Sequence, residues 1–245
     1  MERKRDRLTF VLILLFSVQV QASYRSEVYT AYISNKMDIW KNVIDRMDSI
    51  PDKNNELMLE LVNYQYGYIG YCLGFDKKEE ARSYLNAAQK NIEILEKSNY
   101  KLSVVNAYKS AFYGFRIGLN PITAPVNGMK SLDCAKDAVK LDPENYLGYV
   151  QLGNSEFYLP AAFGGSKKEA IEYFLKAKEL IEKDSASLSE DWNYLSLLIV
   201  IGQTYTYLKD YVSAQKVYVG ILELEPGFLY VKDDLYPKLL KKMES

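Results

Sequence analysis

The sequence predicts an all-α protein, on three observations. Apolar residues recur at helical spacing along most of the chain. Six of the seven prolines, Pro51, Pro121, Pro125, Pro143, Pro160 and Pro226, fall between these stretches, where they break no helix. No run alternates apolar and polar residues as a half-buried strand would.

The elements follow in order. Arg3, Lys4, Arg5 and Arg7 precede an apolar run over 8–18 and the small-residue end Val20-Gln21-Ala22. That order is that of an export signal over 1–22, with cleavage expected after Ala22 and Ser23 in place of a lipidation cysteine. The exported chain, 23–245, is expected in the periplasm, with no stable insertion in the membrane. An opening helix over about 25–49 carries the stripe Tyr29, Ile33, Trp40, Val43, Ile44 and Met47. Asp76 before Glu79 and Ser166 before Glu169 read as capping boxes, and Asp142-Pro143 as a helix start. A closing helix is expected over about 228–243.

Between these ends the helices repeat. The segment 194–227 carries Leu198, Ile201-Gly202, Tyr205, Ala214, Tyr218, Ile221 and Pro226. Segment 146–184 repeats this with Tyr149, Leu152-Gly153, Ala170, Phe174 and Ala177. Segment 104–143 offers Tyr113-Gly114, Ser131, Ala135 and Ala138, and segment 63–98 offers Ile69-Gly70, Ala81, Leu85 and Ala88. Glycine and alanine at these places are expected where paired helices approach closely. Pro121 and Pro160 stand at matching places, in five-residue insertions between paired helices.

This pattern resembles the tetratricopeptide repeat, a 34-residue helix–turn–helix with bulky, Leu-Gly, Tyr, Ala, aromatic and Pro positions. The resemblance covers nearly all of 23–245 and implies a right-handed superhelical solenoid of about four helix pairs, with atypical helices at both ends. The stretch Leu159-Pro160-Ala161-Ala162-Phe163-Gly164-Gly165-Ser166 is also similar to insertions in exported bacterial repeat proteins, among them the T-component of TRAP-type uptake systems. In the repeat family, fixed positions of each first helix face the concave side. Carried onto this sequence, they give a groove of Tyr64, Tyr71, Phe75, Tyr108, Phe115, Asn154, Phe157, Tyr158, Gln203 and Tyr207, with small residues at Gly67, Gly74 and Gly118. Repeats of this family that hold a terminal carboxylate use basic residues at a position occupied here by Gly67, Ala111, Val150 and Ile199. A charged-tail ligand is therefore disfavoured.

Composition narrows the function. With 48% apolar and 26% charged residues in 245, the chain is long and apolar enough for a sizeable core. The absence of histidine removes the Ser-His and Cys-His nucleophile pairs and histidine metal sites. Two cysteines, Cys72 and Cys134, cannot form a four-thiolate zinc site, and their helical surroundings read as two separate buried thiols. Without 1–22 the chain holds 27 basic and 30 acidic residues, which argues against nucleic acid. Gly164-Gly165-Ser166-Lys167 lacks the spacing of a phosphate-binding loop, and Asp233-Asp234 diverge around a helix. No catalytic, metal or cofactor constellation is visible. The expectation is a non-catalytic binding scaffold for a protein or peptide partner. The alternative is a binder of a small hydrophobic or hydroxyl-rich solute, associated with uptake.

Overall fold

A computed structural model describes residues 24–244, apart from the side chains of 185–187. Within these residues the chain is all-α, with eleven α-helices and no strand. They are α1 (24–33), α2 (Met37–Asp48), α3 (Asn55–Gly74), α4 (Lys78–Lys97), α5 (Leu102–Leu119), α6 (Ala124–Leu141), α7 (Tyr146–Tyr158), α8 (Lys167–Ile181), α9 (Trp192–Tyr207), α10 (Tyr211–Leu224) and α11 (Tyr236–Met243). The expected signal over 1–22 lies outside the described residues.

Helices α3/α4, α5/α6, α7/α8 and α9/α10 form four hairpins, and the second helix of each packs on the first helix of the next. Helix α5 also touches both α3 and α7. The four first helices point the same way. Asn145 Nδ2, at the start of α7, donates to Ser103 Oγ, at the start of α5, over 2.7 Å. Gly118 and Leu73 adjoin at the ends of α5 and α3, and Phe157 meets Tyr207 at the ends of α7 and α9, with ring centroids 5.2 Å apart. The four turns that follow these helices therefore share one edge of the molecule. This is a helical-repeat-like fold.

Side-chain caps position five of the eleven helix starts. Asn54, Asn145, Ser166, Asp191 and Asp210 each accept a backbone N–H from the first turn of the following helix. Two expected starts are corrected. Asp76 ends α3 instead of capping α4: it adopts φ 56°, and the Lys77 N–H returns to the Cys72 carbonyl over 2.8 Å. Asp142 forms a turn with the Glu144 N–H, and α7 begins four residues later behind Asn145.

Small residues set the hairpin spacing in two ways. A Cβ at Gly153 would collide with the Phe174 ring, and one at Gly202 with the Tyr218 ring. Each glycine faces the aromatic residue four positions after the paired alanine, Ala170 or Ala214, and both alanines are wholly buried. The other two hairpins differ. Gly114 faces open space and Gly70 meets only Phe115, so neither marks a close approach between paired helices. In the second hairpin that approach is made by Ser110 and Ser131, whose hydroxyls lie 3.1 Å apart.

The expected opening helix is two helices. Asn35 at φ 54° ends α1, and the Lys36 N–H closes on the Ala31 carbonyl over 2.9 Å. Turning there lets α1 reach the far end of the chain. Tyr29 Oη donates to Glu225 over 3.0 Å, and Arg25 Nη2 donates to the Ser189 carbonyl over 2.6 Å. At the C-terminus Phe228, Val231 and Leu239 are buried, and a π-turn over Val231–Leu235 leads into α11. The two inserted turns are short 3₁₀ segments, Pro121–Thr123 and Ala161–Phe163. Cys72 and Cys134 are both free thiols, the first buried and the second only half-buried.

Candidate functional site

The inner faces of the first helices carry a chain of aromatic rings. Gly67 makes room for it: a Cβ there would lie 2.5 Å from Trp40 and 2.7 Å from Trp192. The two indoles, from α2 and α9, meet over α3 with centroids 4.9 Å apart. Tyr66 continues the chain, 6.1 Å from Trp192, stacked on Phe115 at 5.6 Å and edge-on to Tyr108 at 5.6 Å. Tyr32 closes the other end, against Trp40, Trp192 and Phe228. Such offset and edge-on pairs add to the burial of their rings.

The residues expected in the groove separate into four sets. Tyr64 and Tyr108 are buried, and their phenols donate to Glu60 Oε1 over 2.6 Å and Asn63 Oδ1 over 3.0 Å. Burial pushes both phenols well above the ordinary tyrosine pKa, so they remain neutral donors. Phe115 and Asn154 are half-buried and border Tyr66. Asn154 donates to Gln151 over 3.2 Å, and Gln151 Nε2 donates to Tyr66 Oη over 3.4 Å. Tyr71 and Phe75 pair at the first turn at 4.7 Å, with the Lys77 ammonium over the Tyr71 ring.

The fourth set is contiguous, with two of its rings open. At the ends of α7 and α9, the buried Phe157 ring meets Tyr158 at 5.1 Å and Tyr207 at 5.2 Å, both edge-on. Tyr158 is 74% exposed and Tyr207 67%. Lys167 fixes Phe157 from behind: its ammonium sits 4.6 Å from the ring centroid and donates to the Phe157 carbonyl. Gln203 is half-buried, within hydrogen-bonding reach of the Tyr230 phenol. The protein mass around Tyr158, with the phenols of Tyr66, Tyr207 and Tyr230, raises its pKa although its surface is open. The cluster thus joins open aromatic rings to the Lys167 ammonium beneath Phe157 and to the Gln203 amide and Tyr230 phenol nearby.

Tyr66, Gln151 and Tyr230 were not among the expected groove residues. Tyr66 lies between the family positions carried onto α3, and Tyr230 lies past the last repeat. The pairing of the chain's two tryptophans opposite a glycine has no signature in sequence spacing. Trp192 Nε1 is buried without a hydrogen-bond partner.

A groove of about 350 Å³ between α2 and α4 is lined by Asp45, Asp48, Gln65, Glu80 and Tyr84, away from these rings. Two of its three carboxylates are already engaged: Asp45 by Tyr84 and Lys41, Glu80 by Tyr68. Among the described residues no group of three or more acidic or thiol side chains is placed to hold a metal ion. None of the helices described there is long and apolar enough to cross a membrane.

No protein-family model matches the chain, and no curated protein matches it in sequence. Among solved structures it is similar to the HusA haemophore from Porphyromonas gingivalis, with a TM-score of 0.59 and 16% identity. That match covers 76% of this chain and 93% of the other. At this identity the similarity is one of fold.

Proposed function

We propose that this chain is an exported, non-catalytic binding protein of tetratricopeptide type. Its ligand is a flat, largely apolar small molecule held against Phe157, Tyr158 and Tyr207. The observation that carries this reading is a cluster in which two open tyrosine rings flank a phenylalanine fixed by Lys167. Aromatic rings supply large rigid contact area at low entropic cost, and the phenol and amide groups of Tyr230 and Gln203 orient what lies on them. The name of the structural neighbour, a haemophore, supplies the ligand class to test first, a tetrapyrrole. With no histidine in the chain, recognition would rest on ring contacts and not on an imidazole–iron bond.

A peptide partner is the second reading, favoured by the apolar side chains exposed at other turns, Phe75 and Ile122. Native mass spectrometry after incubation with haem, with a metal-free porphyrin and with extended apolar peptides separates the two. A one-to-one porphyrin adduct is expected. Adducts with peptides alone would replace this reading with the second.

A further inference from the structure

The edge that carries the four turns after α3, α5, α7 and α9 has a chemistry of its own. Its turns expose large apolar side chains: Phe75 at 61%, Ile122 at 88% and Phe163 at 77%. They stand at separate turns and line no common groove. The charge is mixed at the first and third turns, where Asp76, Glu79 and Glu169 are exposed beside lysines, and basic at the second. Residues 97–132, which include the second of these turns, hold five lysines and arginines and not one carboxylate, in a chain of net negative charge. Of these, Arg116 and Lys130 flank the Tyr113 ring at 5.5 and 5.7 Å, and both are exposed. Lys168 stands exposed at the third turn.

From this juxtaposition we infer that the turn edge docks reversibly on a bilayer surface bearing anionic lipid headgroups. Ile122 and Phe163 enter the interfacial region while Arg116, Lys130 and Lys168 meet the lipid phosphates. Apolar tips that insert, backed by cations, bind lipid surfaces in proportion to buried apolar area plus attraction to anionic headgroups. A folded protein partner would require a continuous complementary patch, whereas a fluid surface accommodates separate tips. Docking in this way leaves the chain peripheral, and it turns the Tyr158–Tyr207 cluster toward the lipid.

The test compares full-length variants on vesicles of mixed phosphatidylglycerol and phosphatidylcholine, so that the apolar leader, common to all, cancels. Ile122→Asp with Phe163→Asp is expected to lower partitioning about ten-fold or more. Arg116→Gln with Lys130→Gln is expected to lower it about five-fold per cation removed, an effect that shrinks as salt rises. Hydrogen exchange should slow at 118–130 and 159–166 when these vesicles are added. Unchanged exchange in those segments, or variants that partition like the unsubstituted chain, would overturn the proposal. So would protection there by a captured protein without lipid. Porphyrin binding is measured without vesicles, so failure of one proposal leaves the other standing.

Discussion

Two sets of rings meet opposite fates in this molecule. Around Gly67 the rings of Trp40, Trp192, Tyr66 and Tyr108 fill the space between the first helices. At the ends of α7 and α9, Tyr158 and Tyr207 keep open faces around Phe157. The inner set is covered by α1 and α2, which bring Tyr32 and Trp40 against Trp192. Aromatic residues of this chain are thus core or open surface according to what covers them.

That contrast is breakable. Trp40→Ala removes the central indole, whose Nε1 also donates to the Tyr64 carbonyl over 3.0 Å. It should destabilise by about 3–5 kcal/mol in denaturant unfolding. Tyr158→Ala should stay within about 0.5 kcal/mol. Equal losses would mean that the two sets are one core.

Glycines give a second, smaller contrast. Gly202→Leu drives a side chain into Tyr218 and should cost about 1–3 kcal/mol. Gly114→Leu meets open space on an exposed helix face and should be neutral, or stabilising by up to about 1 kcal/mol. Thermal unfolding of the pair checks both, and a stable Gly202→Leu protein would show that α9 and α10 do not pack as described.

Alkali probes the buried set without substitution. Burial pushes the Cys72 thiol up from 9.0 to about 11 and the Tyr218 phenol from 10.0 to about 12. A raised folded-state pKa stabilises fully below the unfolded value and is lost as pH rises through the folded one. Helix content should therefore hold at neutral pH and fall between about pH 9 and 12, and phenolate absorbance from the buried rings should appear only as it falls. Phenolate absorbance that rises fully before any loss of helix would place these rings in solvent.

Much of the fold was legible because its signals are local. The pairing of Gly202 with Tyr218 and of Gly153 with Phe174 follows from fixed spacing within a hairpin, and Pro121 and Pro160 mark the inserted turns. Asp76 is a left-handed helix stop where spacing predicts a cap, because Asp serves in both roles, and the left-handed Asn35 interrupts an apolar stripe that runs on past it. The inner ring cluster was beyond reach for another reason. Tyr32, Trp40, Tyr66, Trp192 and Phe228 come from far-separated segments, and only the fold-back of α1 brings them together. Of the ten expected groove residues, Phe157, Tyr158 and Tyr207 meet in one open cluster, whereas Tyr64 and Tyr108 fill the interior.

The most direct measurement is a tetrapyrrole titration of the unsubstituted chain beside Tyr158→Ala with Tyr207→Ala. Saturable one-to-one binding, weakened in the double variant by about 30-fold or more with unfolding stability unchanged, is the predicted result. Equal affinity in both proteins, or no saturable binding in either, would contradict the account.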